Sequence, residues 1–333
     1  MAFTVCVLTA AVKRDQYIAT YIAGDAPVTG HDVLEEMIAR HGMPQRRVIA
    51  WFVNNYTRPL DWFIDEDATV EFIPSTSPMG QRIYKRSLGF VLIIACARVL
   101  GRKAILRHSI ADSHYWEFEE GSVTQADVDK IKAEMNEIIR RDSPIVREIL
   151  TIDKARRVFQ RQGEPEIAEL FVRANLDPVE VYRCGDRYGY FCGGPLASST
   201  GTLRMFDIVL YEQGMLLRSP TPESPEVIPE LKLDPSMGKV FFDYAHWLQV
   251  LDLNYLNKLH HRVTEGKIQE LVLIAEAFHS QRLGNIAEDI ASRPVKVVTI
   301  AGPSGSGKTT FSERLKVQLM VCGKTPVTLP LDN

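Results

Sequence analysis

Residues 295–323 constrain this chain more tightly than any other stretch. "VKVVTI" (295–300) is a continuous apolar run of the kind buried on both faces of a parallel sheet. "AGPSGSGKTT" follows without a break, and then "FSERLKVQLMVCG", which reads as an amphipathic helix closed by Gly323. Gly302, Gly307, Lys308 and Thr309 satisfy G-x-x-x-x-G-K-[ST]. Strand, glycine loop and helix in that order make a phosphate cradle, because glycines let backbone N–H groups wrap an anion and the helix start adds a favourable dipole. The spacing predicts nucleotide binding by Gly302, Pro303, Ser304, Gly305, Ser306, Gly307, Lys308, Thr309 and Thr310. Lys308 would reach the β- and γ-phosphates of ATP, and the Thr309 hydroxyl would ligate Mg2+. The plainer reading is a Gly/Ser-rich turn before an ordinary helix.

"TPVTLPLDN" (325–333) reads as a second strand of the same sheet, with Asp332 at its carboxyl end, where ligands of open α/β sheets gather. A carboxylate there either accepts the proton of an attacking hydroxyl or is a solvated acid. Eighteen residues follow Leu315. Residues 294–333 are therefore expected to hold only the first β-α-β of an α/β domain, too little to enclose ATP and a second substrate.

The remaining residues must fold on their own account, and 333 residues predict two or three domains. Residues 1–76 alternate short β-type runs with one helix. "FTVCVLTAAV" and "QYIATYIA" form a hairpin across "KRD"; "TGHDVLEEMIARHG" is a helix starting near Thr29 or His31–Asp32 and stopping at Gly42; "RRVIAWFVNN" and "ATVEFIPS" are further strands. This order suits a small grasp-like fold. Residues 77–224 read as α+β. They carry a buried, amphipathic apolar helix near 83–100, strands at "KAILRHS" and "HYWEFEE", and a Thr-capped helix at 124–142 with Val128, Ile131, Met135, Ile138 and Ile139 on one stripe. "SPTPESPEVIPE" (219–230) is a loop or linker, since its prolines suit neither a central strand nor a mid-helix. Residues 225–293 are this linker and a helical connector, with 239–292 helical in two stretches, divided after Gly266, and Pro294 as the stop.

The run "LGFVLIIACARVLG" (88–101) is too short to span a bilayer and is broken by Arg98, and "MAFTVCVLTAAVKRDQ" has no basic segment before its apolar run. No membrane association is expected. A formal net charge of −3 argues against a general polyanion-binding surface but allows local basic patches. The five cysteines (Cys6, Cys96, Cys184, Cys192, Cys322) are odd in number and lack CxxC pairing. A reduced cytoplasmic setting follows, with most of them serving as small buried apolar groups. His108, His114, His260 and His261 show no metal-ligand spacing and read as structural or surface residues. Trp51, Trp62, Trp116 and Trp247 lie in periodic apolar stretches and read as core rather than stacking platforms.

Three blocks carry resemblances. The first 76 residues, with "VNNYTRPLDWFIDEDATVEFI", resemble the TGS domain that opens threonyl-tRNA synthetases. "SIADSHYWEF", "MNEIIRRDSPIVREIL" and "FCGGPLASSTGTLRMFDIVLYEQGMLLRSP" resemble the second additional, editing-type domain of the same enzymes. "VVTIAGPSGSGKTTFSERLKVQLMVCGKTPVTLPLDN" resembles the start of uridine kinase/phosphoribulokinase-type domains. The whole order resembles uridine kinase-like proteins with a synthetase-derived N-terminal half. It implies an α+β half followed by the start of a P-loop NTPase domain.

The resemblance also implies transfer of the ATP γ-phosphate to a nucleoside 5′-hydroxyl once the kinase domain is whole, with Lys308 and Mg2+ neutralising charge and Asp332 as base. The departures matter as much. Synthetase editing domains pair an HxxxH on the first helix with a later CxxxH. Here "YKRSLGFVLIIACA" has no histidine, and Leu196 stands four residues after Cys192. Neither bound zinc nor editing chemistry is expected. The alternative to a kinase is a regulatory module whose synthetase-like half contacts tRNA or another protein without chemistry of its own. A third reading has the kinase-like part acting on another small hydroxyl-bearing substrate.

Overall fold

The computed structural model of the protein describes residues 3–9, 17–23, 26–41, 48–232 and 235–329. It divides into two compact units, Met1–Asn254 and Tyr255–Asn333, described separately below. The "KRD" connection, Gly42 and Asp332 lie outside the described residues.

The first unit opens with strands β1 (Phe3–Thr9) and β2 (Tyr17–Ala23), paired antiparallel with Phe3 opposite Ala23. β3 (Val28–Thr29) leads into α1 (Gly30–His41), and Thr29 caps the helix by a reciprocal pair. The Thr29 hydroxyl and backbone N–H both donate to Asp32, and the Asp32 N–H returns to the hydroxyl. β4 (Val48–Val53) and β5 (Tyr56–Arg58) form a hairpin whose two-residue loop, Asn54–Asn55, takes positive φ at both positions (48° and 69°). That is the turn whose twist matches paired strands, and asparagine tolerates it. β6 (Phe63–Ile64) pairs with β3, and β7 (Ala68–Pro74) runs parallel to β1 and antiparallel to β4. The sheet order is β2-β1-β7-β4-β5. Val33 and Met37 of α1 pack with Val5, Trp51, Val70 and Phe72.

The next element is α2 (Pro78–Leu100), started by Ser77, whose hydroxyl accepts from the Gly80 N–H, with Pro78 in the first turn. The helix is buried as expected, but it is not amphipathic. Ser87 through Leu92 are buried without interruption, so this helix is enclosed on nearly every side. Around it stand β8 (Ala104–Ile110), β9 (Ser113–Phe118), α3 (Gln125–Arg140), β10 (Ile145–Leu150), α4 (Ile152–Arg161), α5 (Pro165–Arg173), β11 (Val179–Cys184), β12 (Arg187–Gly189), β13 (Asp207–Tyr211) and β14 (Gly214–Arg218). They supply a four-stranded sheet, β13-β14-β9-β8, and a three-stranded one, β10-β11-β12. Thr124 and Asp127 form the capping box of α3, and its predicted stripe Val128, Ile131, Met135, Ile138 and Ile139 is wholly buried against α2 and the larger sheet. Ile49, Ala50 and Ile73 of the first sheet join this same core. The architecture is thus mixed α+β, as expected. The proline-rich 219–230 forms neither helix nor strand.

Helix α6 (Pro235–Val250) ends the first unit, and α7 (Leu256–Thr264) and α8 (Ile268–Ser292) begin the second. Of the two helical stretches expected over 239–292, divided after Gly266, the first is itself split, so the region forms three helices. It is interrupted where Asp252 and Gly266 take positive φ. Arg293, just before Pro294, is extended, as the proline ring demands. α9 (Lys308–Val321) packs Leu315 and Leu319 on Leu283 and Ala287 of α8.

The β-α-β expected over 294–333 is corrected in its strands: residues 295–300 and 324–329 have no ladder partner among the described residues. Val297, Val327 and Leu329 are about four-fifths exposed. A parallel strand of this composition needs neighbours to satisfy its N–H and C=O groups and to cover its faces, and the described part of this unit supplies none. No described helix is long and apolar enough to cross a membrane.

Candidate functional site

Three places drew attention as sites, and the structure treats them differently. In the glycine loop, Gly305 (φ 76°) and Gly307 (φ 82°) occupy the left-handed region, and Gly307 leads into α9. A side chain at Gly302 would come within 2.7 Å of the Ser306 hydroxyl. The Ser306 N–H and the Lys308 ammonium both donate to the Pro303 carbonyl, at 3.3 and 3.1 Å. The loop therefore closes on itself with Lys308 folded back across it, while Pro303, Ser304, Thr309 and Thr310 stand exposed. Only the loop and the helix of the expected constellation come together; the flanking strands do not form.

The cysteine motif is a filled site. Arg86 on α2 donates from Nη1 to the Pro195 carbonyl (2.9 Å) and from Nη2 to the Gly193 carbonyl (2.7 Å). Burial draws its guanidinium below the ordinary arginine range. At the next position, the Ser87 hydroxyl accepts from the Ala197 N–H at 2.8 Å. Leu196 is fully buried, and Phe90 meets Phe191 edge-on with ring centres 5.3 Å apart. Segment 192–197 is thus tied to α2 through its main chain, with Pro195–Ala197 buried and Cys192–Gly194 exposed. Cys192 faces solvent; burial and contact with Cys192 push the Tyr190 phenol up to about 12.

Among the described residues, no three His, Cys, Asp or Glu groups converge to hold a metal. His108 packs on Tyr115, with ring centres 5.0 Å apart, and burial lowers its pKa as it does that of His114. Cys96 and Cys184 are buried as expected of apolar cysteines, whereas Cys192 is exposed and Cys322 half-buried.

The third place corrects the sequence reading. Trp51 and Trp116 are core; Trp62 packs against the first core but is only half-buried, leaving part of its side chain at the surface. Pro59, Asp61, Trp62 and Phe63 face Val146 and Arg147 of β10 across a cleft of about 350 Å³. The Trp62 N–H donates to the Pro59 carbonyl, and this turn lays Arg58 over the indole, 4.1 Å from guanidinium carbon to ring centre. Arg147 reaches the same ring at 4.8 Å. Arg147 also makes an ion pair with Glu180 at 2.6 Å. Burial raises the Glu180 carboxyl, but hydrogen bonds from Arg147 and Tyr182 and the charges of Arg147 and Arg58 outweigh it, leaving it below its ordinary value.

Phe63 and Tyr56 are each 67% exposed. Asp61 Oδ1 is buried with no hydrogen-bond partner, and burial raises that carboxyl. "TRPLDWF" held the local half of this site; Arg147, contributed by a distant strand, could not be read from it.

No family model matches the sequence. Relatives do. The chain is 31% identical over 167 residues to a threonine–tRNA ligase of Desulforamulus reducens, covering 49% of this chain and 26% of that protein. It is 29% identical over 177 residues to the threonine–tRNA ligase of Rubrobacter xylanophilus, covering 52% and 27%. It is 31% identical over 183 residues to that of Rhodospirillum rubrum, covering 54% and 28%. About half of this chain is therefore homologous to threonyl-tRNA synthetases. That aligned part spans only about a quarter of the length of the curated relatives it matches.

Proposed function

We propose that this protein is an RNA-binding module of threonyl-tRNA synthetase type that has given up editing chemistry, with tRNA as its first candidate ligand. The observation that carries this reading is the filled cysteine motif. Where an editing site would need converging polar groups, Leu196 and Phe90 are buried apolar residues and Arg86 is committed to two carbonyls. A synthetase-like scaffold without reactive groups there retains binding as its use. Filter binding of tRNA to the whole chain at several salt concentrations tests it. The logarithm of affinity should fall linearly with the logarithm of salt, by about 0.7–0.9 for each phosphate contacted. Undetectable binding at low salt would sink the reading and leave a protein partner as the module's target.

A second reading rests on the loop at 302–310, where Gly305, Gly307 and the start of α9 suit a nucleotide phosphate. Bound Mg·ATP would supply the transferable phosphoryl group of a uridine kinase-like reaction. Lys308 would hold its terminal phosphates, Thr309 would meet the metal, and Asp332 would stand as base toward a nucleoside hydroxyl. Equilibrium dialysis of Mg·ATP should show affinity lost in Lys308→Ala; equal binding by both proteins removes this reading.

A further inference from the structure

From the Trp62 cleft we infer a binding place for one unpaired RNA nucleotide, whose base stacks on the exposed Phe63 ring and on the Arg147 guanidinium plane, which with Arg58 covers the Trp62 indole, and whose edge amino group donates to the Asp61 carboxylate. The inference rests on the RNA-binding reading above and names the part of the ligand that this surface would take.

Three features narrow the occupant. The first is shape. A cleft of about 350 Å³ lies at the low end of the range for small-molecule sites, about 300–1,000 Å³, so it suits one nucleotide rather than a helix of either kind. Its walls include flat groups, an indole, an exposed phenyl ring and the Arg147 guanidinium plane, with Arg58 lying over the indole beside them. Aromatic rings and arginine planes are the surfaces on which splayed-out RNA bases stack.

The second feature is the unpartnered oxygen. A buried carboxylate oxygen without a donor is costly, and the cost is relieved by a ligand N–H. An acceptor of this kind favours cytosine, adenine or guanine, each of which carries an exocyclic amino group. Uracil offers only an N–H flanked by two carbonyl oxygens, and these would face the carboxylate. The third feature is charge. Arg58 and Arg147 lie beside the stacking surface, so an anionic backbone is welcome at the rim. A cationic side chain of a partner protein, the other obvious donor to Asp61, would have to approach two guanidinium groups. Glu180 takes up part of the charge of Arg147, which leaves Arg58 as the principal phosphate contact.

The test uses the whole chain with labelled oligocytidine and oligouridine of equal length, and a blunt RNA duplex, read by fluorescence anisotropy. Oligocytidine should bind more tightly than oligouridine. Trp62→Ala should weaken oligocytidine binding by about fivefold to a hundredfold, the worth of one stacked base, and leave duplex binding unchanged. Phe63→Ala, at a position two-thirds exposed and so harmless to folding, should weaken it in the same sense by less. Asp61→Asn should weaken the preference for cytosine over uracil, because its amide can also donate to a uracil carbonyl, and Arg58→Ala should reduce the salt slope by about one phosphate.

Unchanged oligocytidine affinity in both Trp62→Ala and Phe63→Ala, with the unaltered protein still binding RNA, overturns the cleft and leaves the RNA-binding reading standing. Equal affinity for the two oligonucleotides in the unaltered protein overturns the role of Asp61. Failure of the unaltered protein to bind any of the three RNAs overturns the wider reading as well.

Discussion

The cysteine motif and the Trp62 cleft both hold arginines, yet at one the guanidinium is tied to main-chain carbonyls over a packed interior and at the other the site is open. At the motif, Arg86 directs two N–H groups at the Gly193 and Pro195 carbonyls, and Phe90 and Leu196 occupy the space beneath. At the cleft, Arg58 and Arg147 lie over the Trp62 ring, and an acceptor oxygen beside them is left unmatched. Burying a polar group is tolerated when it is paired. The motif obeys that rule throughout, as structural sites do. The cleft breaks it at one atom, and an unpaired buried atom in an open cleft marks a place where a ligand can supply what the chain does not.

If the motif is purely structural, breaking it should cost stability and leave RNA binding alone. The largest effect is expected from Phe90→Ala. This ring is fully buried between α2 and Phe191, and its loss should destabilise the protein by about 3–5 kcal/mol in urea unfolding. The fraction that remains folded should bind RNA as before. Altered affinity per folded molecule would mean that the filled site still touches ligand. Arg86→Ala comes next. It strips two charge-assisted hydrogen bonds and strands two carbonyls, at a cost of about 1.5–3 kcal/mol. Arg86→Lys should recover only part of this, because one ammonium cannot reproduce the fork that reaches both carbonyls. Full recovery by lysine would show that charge alone mattered there.

How far each region was legible in the sequence follows from the range of its interactions. The caps at Thr29 and Thr124 and the buried stripe of α3 are set by contacts within a few residues, and periodicity displayed them. The loop at 302–310 likewise has the conformation its glycines allow. Its flanking strands were misread because an apolar run says only that burial is needed, and burial depends on neighbours that the described chain does not bring. That α2 is enclosed on nearly every side, rather than buried along one face, was hidden for the same reason. Hydropathy of one helix cannot reveal that a sheet, a helix and the 192–197 segment surround it. Trp62 shows the limit most clearly. Its arginine partners lie at positions 58 and 147, and only the closer one could be associated with it along the chain.

The smallest effect is expected at Asp61, and it decides whether the cleft is a structural accident or a retained site. Burial holds the Asp61 carboxyl above its ordinary range, so the folded protein binds this proton more tightly than the unfolded chain does. Stability from this group therefore rises as pH falls through the raised value and levels off below the unfolded one; above both, the ionised group is a net cost to the fold. Asp61→Asn removes the charge while keeping the shape. It should raise the melting temperature slightly at neutral pH and flatten that stretch of the stability–pH curve. The same substitution should weaken discrimination between cytosine and uracil. A variant more stable and less selective than its parent is the signature of a group kept for binding at the expense of folding. Loss of stability on Asp61→Asn would instead show the carboxylate to be well solvated or paired, and the contrast between the closed motif and the open cleft would lose its clearest atom.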